Sequence, residues 1–300
     1  MTAPTSEHQL THYLRMLLLA FIWGSSFILM KLALFDDAGK TLFTSTEVAA
    51  MRILFAGLTL LPFAKRALKT VRQKHLIWLL IVGVCGNLIP AFLFTRAQTQ
   101  LDSSIAGMLN SLVPIFTLII AIVFFKTKIK WMQIVGVFTG LCGAIGLISL
   151  RNTGGEMLLA PSLMIVAATI CYAISVNVIR NKLHELRPLT IASVALAAMA
   201  IPCLVFLFTS DVMDVVHTNP TAPRGLISVL TLSIIGTAAA LVMFNKLVQQ
   251  TGAIFASSTT YIIPVFAAFW GWVDHETLTM NHLFFALIIL TGVYLINRKR

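Results

Sequence analysis

The chain has 300 residues, of which 58% are hydrophobic and only 11% charged; its mean hydropathy is +0.90 and its formal net charge +11. Soluble domains carry about 25% charged residues, so this composition excludes a water-covered globule and implies a multispanning membrane protein. The basic residues lie in short loops between apolar runs, where they orient helices, which argues against a nucleic-acid partner.

A membrane-spanning helix needs about 20 apolar residues. Ten such runs are expected in chain order: 13–34, 44–64, 75–95, 102–125, 130–150, 157–179, 188–209, 224–247, 252–273 and 279–297. The first follows a short polar tail without a small-residue cleavage site, so it reads as a retained helix rather than a signal peptide. The runs leave no room for a soluble domain. Cys85, Cys142, Cys171 and Cys203 all fall inside apolar runs without metal-ligand spacing and read as inert thiols. The histidines sit at tails or helix ends, so neither a metal site nor a cofactor is expected.

The segment from Phe94 to Phe116 has a relative 150 residues later, from Phe244 to Phe266. Phe94, Gln100, Ala106, Pro114 and Phe116 match Phe244, Gln250, Ala256, Pro264 and Phe266 without a gap. The expected organisation is therefore an internal duplication, 1–150 and 151–300, with five helices in each half. An odd number of spans per half inverts the second half relative to the first. Lys126 aligns with Glu276, as a loop that changed sides would change charge. Arg15, the Lys65–Lys74 loop, Lys126, Lys128, Lys130, Arg180, Lys182, Arg187, Lys246 and Arg298–Arg300 gather on one side. The positive-inside rule then puts both termini in the cytoplasm. The fold class expected is all-α and integral to the membrane, built as two inverted five-helix repeats.

Charged groups inside a bilayer cost at least about 2.5–3.5 kcal/mol, so each needs a reason. Arg52 is the deepest, and it reads either as a cavity wall for a substrate carboxylate or as a structural arginine on backbone carbonyls. Glu47 closes a capping-box spacing with Thr44; its sharper reading is a proton-accepting carboxylate. Lys31 lies at a similar depth, and either pairs with Glu47 or snorkels. Trp23, Ser25, Ser26 and Phe27 sit midway along the first helix, and Tyr172, Ser175 and Asn177 take the matching places in the sixth. Asn110 and Ser111 precede Pro114, and Thr260 and Tyr261 precede Pro264. Each proline frees a carbonyl one turn back, so kinked fourth and ninth helices are expected to face a cavity and to gate it. Arg96 and Lys246 align across the repeat and read as gating residues or as snorkelled helix ends. Trp270 and Trp272 read as interface anchors. Gly136 and Gly140, extended by Gly143 and Gly146, form a helix-packing face, inside the bundle or between subunits.

The run Phe21–Leu34 resembles the first helix of the EamA branch of the drug/metabolite transporter superfamily, and Met51–Leu58 its second, arginine included. The segments Ser103–Phe125 and Ala256–Glu276 resemble its paired fourth and ninth helices, and Gly136–Ile148 its fifth. That family usually carries an acid after the fourth helix, where this chain has Lys126; the second copy keeps Glu276. The resemblance implies export of a small metabolite, such as an amino acid or related compound, across the cytoplasmic (inner) membrane. The first, third, fourth, sixth, eighth and ninth helices would line the route.

The sequence holds no P-loop, HExxH or GxSxG, and a non-enzymatic secondary transporter is expected. The candidate substrate-binding residues are Trp23, Ser26, Arg52, Asn110, Tyr172, Asn177 and Tyr261. The candidate coupling or gating residues are Lys31, Glu47, Arg96, Pro114 and Pro264. Proton coupling, a facilitator or importer, a non-transporting membrane protein, and a monomer or homodimer all stay open.

Overall fold

A computed structural model describes residues 6–150 and 159–297. Ten helices follow one another: α1 Ser6–Leu34, α2 Ser45–Ala67, α3 Gln73–Ala97, α4 Ser103–Phe125, α5 Trp131–Ile148, α6 Leu159–Lys182, α7 Pro188–Phe208, α8 Ala222–Thr251, α9 Ala253–Val273 and α10 Met280–Asn297. Among the described residues, the first nine are long and apolar enough to cross a bilayer, and α10 is a shorter apolar helix. A short helix, Val212–Thr218, lies between α7 and α8. The only bridge among the described residues is Phe35 with Thr41, which closes the turn after α1. The expected start at 157, the half boundary at 150/151, and the charges Arg151, Glu156 and Arg298–Arg300 touch or lie outside the described residues.

Local sequence explains where the helices begin and bend. Thr44 caps α2: Glu47 N–H donates to its hydroxyl at 3.3 Å, and Thr44 N–H donates to the Glu47 carboxylate at 2.8 Å. Helix α4 breaks at Ser111–Leu112, just before Pro114. Helix α9 narrows to a 3-10 turn over Ser258–Tyr261, just before Pro264. Pro264 has no N–H to offer the carbonyl of Thr260. The Ser111 hydroxyl from α4 donates to that carbonyl at 3.0 Å, so one half satisfies the backbone that the other half leaves open.

The halves exchange partners. Helix α1 packs on α8 and α9, whereas its counterpart α6 packs on α3 and α4. The two most extensive pairings are α2 with α7 and α5 with α10, each joining equivalent helices of the two halves. The α5–α10 seam is made by glycine. A Cβ on Gly136 would stand 2.5 Å from the Gly292 carbonyl oxygen, and one on Gly143 2.8 Å from the Ile289 nitrogen. The glycine face of α5 is therefore spent inside the bundle, against α10.

Candidate functional site

A cavity with about 830 Å³ of empty space, counted to its open mouth, lies between α1, α2, α3, α4, α6, α8 and α9. Its middle is built from two π-helical turns, Val84–Leu88 in α3 and Ile234–Ala239 in α8. They begin 150 residues apart. A π turn leaves a carbonyl out of the regular ladder, and the chain answers twice in the same way. Asn87 donates its side-chain amide to the Val82 carbonyl at 3.2 Å, and Thr237 its hydroxyl to the Leu232 carbonyl at 2.9 Å. The glycines of the two turns meet equivalent serines. A Cβ on Gly86 would stand 2.3 Å from Ser175 Oγ, and one on Gly236 2.9 Å from Ser26 Oγ.

The aromatic walls repeat this relation. Trp23 meets Phe244 edge-to-face at 5.0 Å, and Phe94 stacks on Tyr172 at 6.0 Å. Phe27 joins Phe94 at 5.8 Å. The Trp23 indole N–H donates to the Gly236 carbonyl at 3.0 Å.

Charge breaks the symmetry. Arg52 lines the cavity and is 9% exposed, whereas Pro202 stands 150 residues after it. Its Nε donates to the Thr237 hydroxyl at 2.9 Å, one Nη reaches Met30 Sδ at 3.9 Å, and the guanidinium meets the Tyr172 phenol. Among the described residues, no carboxylate lies within ion-pair distance of it. Asn110 also lines the cavity, and its buried Oδ1 has no hydrogen-bond partner.

The structure gathers Trp23, Ser26, Arg52, Asn110 and Tyr172 around this space and leaves Asn177 and Tyr261 outside its lining. Asn177 is buried and donates to the carbonyls of Thr117 and Ala173. Tyr261 gives its hydroxyl to the Val293 carbonyl of α10 at 2.7 Å, while its neighbour Thr260 faces the cavity. Gly86, Asn87, Phe94, Gly236, Thr237 and Phe244 are lining residues that sequence reasoning did not select. The shift of 150 that relates Gly86 to Gly236 was the signal for them.

Of the gating candidates, Pro114 and Pro264 sit at the two helix breaks, and Arg96 is exposed. Glu47 is buried in its capping box. Lys31 turns away from Glu47 and pairs with Asp274 at 2.5 Å and with Glu276 at 3.3 Å. Glu276 also accepts from the backbone N–H groups of Ser103 and Ser104 and from the Ser104 hydroxyl, at 2.7–3.0 Å. It thereby caps α4, whose own N-cap residue Asp102 makes no side-chain cap bond. Burial raises the proton affinity of Glu276, but the Ser104 and Ser103 donors and Lys31 outweigh it and hold the carboxyl below its usual range. Asp102 is pushed up by burial and then by the Glu276 carboxylate, with Lys31 opposing. The Trp270 indole N–H donates to the Ser25 hydroxyl at 2.8 Å, tying α9 to α1. Trp272 is exposed.

The EamA-like transporter family model matches residues 10–149 and again 159–298. The S-adenosylmethionine/S-adenosylhomocysteine transporter of Chlamydia muridarum is 27% identical, over 84% of this chain and 80% of its own. The uncharacterized transporter YoaV of Bacillus subtilis is 25% identical over 91% and 92% of the two chains. The uncharacterized inner membrane transporter YedA of Escherichia coli is 27% identical over 94% and 91%. One solved crystal structure shares the fold, with a TM-score of 0.64 at 15% identity over 96% of each chain. Apolar spans, a two-half helical bundle and a family match to both halves together place the chain in the inner membrane as a multi-pass protein, and it belongs to the EamA-like transporter family of the drug/metabolite transporter superfamily.

Proposed function

We propose that the chain is a secondary transporter that exports a small polar metabolite, an amino acid or related compound, by alternating access through the central cavity. The observation that carries this reading is Arg52, a guanidinium buried in the cavity wall without a counter-carboxylate among the described residues. An isolated buried cation is costly, and a bound anionic group offsets that cost. The Oδ1 of Asn110 is a second unused group on the same wall, an acceptor for a substrate N–H. S-adenosyl compounds are the first candidates to try, because similar chains carry that name.

In this reading 1–150 and 151–300 are inverted halves, the basic end of the bundle is cytoplasmic, and both termini lie there. The breaks at Pro114 and Pro264 are the hinges about which α4 and α9 rock. A facilitator or importer uses the same machinery, since the gradient sets direction.

The test is counterflow in proteoliposomes against a panel of amino acids, adenosyl compounds, nucleobases and sugars. Exchange of at least one carboxylate is expected, abolished by Arg52→Ala and partly kept by Arg52→Lys. Unchanged counterflow in Arg52→Ala removes the cation from the site. Glu47→Gln with intact pH dependence removes Glu47 from any proton coupling.

A further inference from the structure

The paired helices α2 and α7 are finished differently at their two ends. Where α7 stops and α2 starts, the connection 209–221 folds back as the short helix Val212–Thr218, and Val212, Val215 and Val216 pack with Leu42, Phe43 and Val48. Where α2 stops and α7 starts, the connection to α3 is only 68–72 and holds no helix. A hollow stays open there, between Phe63, Arg66 and Thr70 on one side and Arg187, Thr190 and Ser193 on the other. Among the described residues, neither guanidinium forms an ion pair or a hydrogen bond. The carboxylate on the rim, Glu185, is already engaged by Lys74 at 2.9 Å and by His75 at 3.3 Å. Thr70 and Ser193 donate their hydroxyls to the carbonyls of Ala67 and Thr190, which leaves their oxygens as acceptors. Arg187 is the N-cap of α7 and makes no side-chain cap bond, so the positive end of that helix adds to the two cations. Phe63 is exposed and gives the hollow an apolar flank.

We propose that this hollow binds the headgroup of an anionic phospholipid, its phosphodiester between Arg66 and Arg187 and an acyl chain along Phe63. Basic pockets between membrane helices hold lipid headgroups in this way. A glycerol headgroup offers hydroxyls to the Thr70 and Ser193 oxygens, whereas a choline or ethanolamine headgroup sets a cation against the two arginines. The lipid fills the space between α2 and α7 at the basic end, as Val212–Thr218 fills it at the other. The site lies apart from the central cavity and does not rest on the transport reading.

The experiment is native mass spectrometry of the full chain released from nanodiscs of equal parts phosphatidylcholine and phosphatidylglycerol. The expected result is that the chain retains phosphatidylglycerol over phosphatidylcholine by about tenfold. The double variant Arg66→Gln/Arg187→Gln should lose this preference. Lys65→Gln/Lys69→Gln removes the same charge from exposed positions outside the hollow and should keep it. That contrast separates a site from the general attraction of a chain with net charge +11. Arg66→Gln and Arg187→Gln alone should each keep part of the preference, which keeps the proposal testable if the double variant does not fold. No preference in the native chain, or equal loss in the arginine and lysine double variants, overturns the site. Inorganic phosphate in excess should not displace the lipid; displacement would overturn the lipid and assign the hollow to a soluble anion.

Discussion

The two ends of the bundle are built on one plan and held with different strength. At one end, Glu276 caps the start of α4 with three hydrogen bonds and draws in Lys31, so that α1, α4 and the segment after α9 are tied together. At the other, the equivalent start of α9 is Gly252–Ala253, and the residue in the place of Glu276 is Lys126. Arg180, the counterpart of Lys31, reaches the Gln249 carbonyl there, and Arg15 the Gln250 side chain; both partners are neutral. Those two bonds carry charge on the donor alone, whereas the Lys31–Glu276 pair is charged on both sides. The two halves thus share a frame, and Glu276, with Asp274 beside it, ties one of its ends more firmly than the other.

The heaviest blow to this asymmetry is Glu276→Ala. It strands two backbone donors and one hydroxyl at a buried helix start and leaves Lys31 to Asp274 alone. The expected loss is about 3 kcal/mol, read as a fall in the thermal midpoint in lipid nanodiscs, with Glu276→Gln losing less. A midpoint unchanged in Glu276→Ala would make the two ends equal. The pH dependence has a definite sign. A carboxyl held below its usual range in the folded chain lends stability above its unfolded pKa, and that stability is lost as pH falls through the folded value. Acidification should therefore lower the midpoint of the native chain more than that of Glu276→Gln.

The second comparison lies in the middle of the cavity. Gly86→Ala and Gly236→Ala are equivalent changes, but the first brings a methyl 2.3 Å from Ser175 Oγ and the second 2.9 Å from Ser26 Oγ. Overpacking of this kind costs about 1–3 kcal/mol, and Gly86→Ala should sit at the upper end. Adding Ser175→Ala should recover part of the loss. Absence of any recovery would mean that the π turn itself, rather than the contact, demands glycine.

How much of this is readable from the residues alone depends on the range of each interaction. The ten apolar runs follow from local hydropathy, and the described helices match their bounds within a few residues except at the start of α1, Ser6 against the expected 13. The capping box at Thr44 and the breaks before Pro114 and Pro264 are also local, and each stands where the residues place it. The π turns carry no residue signature of their own; only their recurrence after 150 residues marks them. Glu276 is visible as a charge that changes between the halves. Its role as a cap is not visible, because Ser103 lies 173 positions away and nothing in α4 advertises a missing partner. Sequence reasoning offers Lys31 either Glu47, near in sequence and depth, or the membrane interface, whereas the packing of α1 on α9 brings Asp274 and Glu276 to it instead. For Asn177 and Tyr261, correct helix faces are not enough, because neighbouring carbonyls claim both side chains.

Lys126→Glu sharpens the first comparison from the other side, by placing an acid where the second half has Glu276. Lys126 stands exposed at the left-handed C-cap of α4, where a helix end favours a cation by about 0.3–1 kcal/mol. The expected result is a thermal midpoint slightly below that of the native chain. A rise would show that the new acid caps the start of α9 as Glu276 caps that of α4.

The smallest effect belongs to Asp102. Burial and the Glu276 carboxylate push this carboxyl up, so the folded chain holds its proton more tightly than the unfolded one. A raised group lends stability that is complete below the unfolded pKa and is lost as pH rises through the folded value. At neutral pH its charge is therefore a slight burden on the Glu276 knot. Asp102→Asn removes the charge while keeping a side chain that can cap a helix. The expected result is a midpoint at pH 7 equal to or slightly above that of the native chain, and no such gain at pH 4. A gain at pH 4 as large as at pH 7 would mean that the introduced amide acts as a better cap rather than as a missing charge. That outcome would locate the weakness of this end in the helix start, not in its crowd of acids.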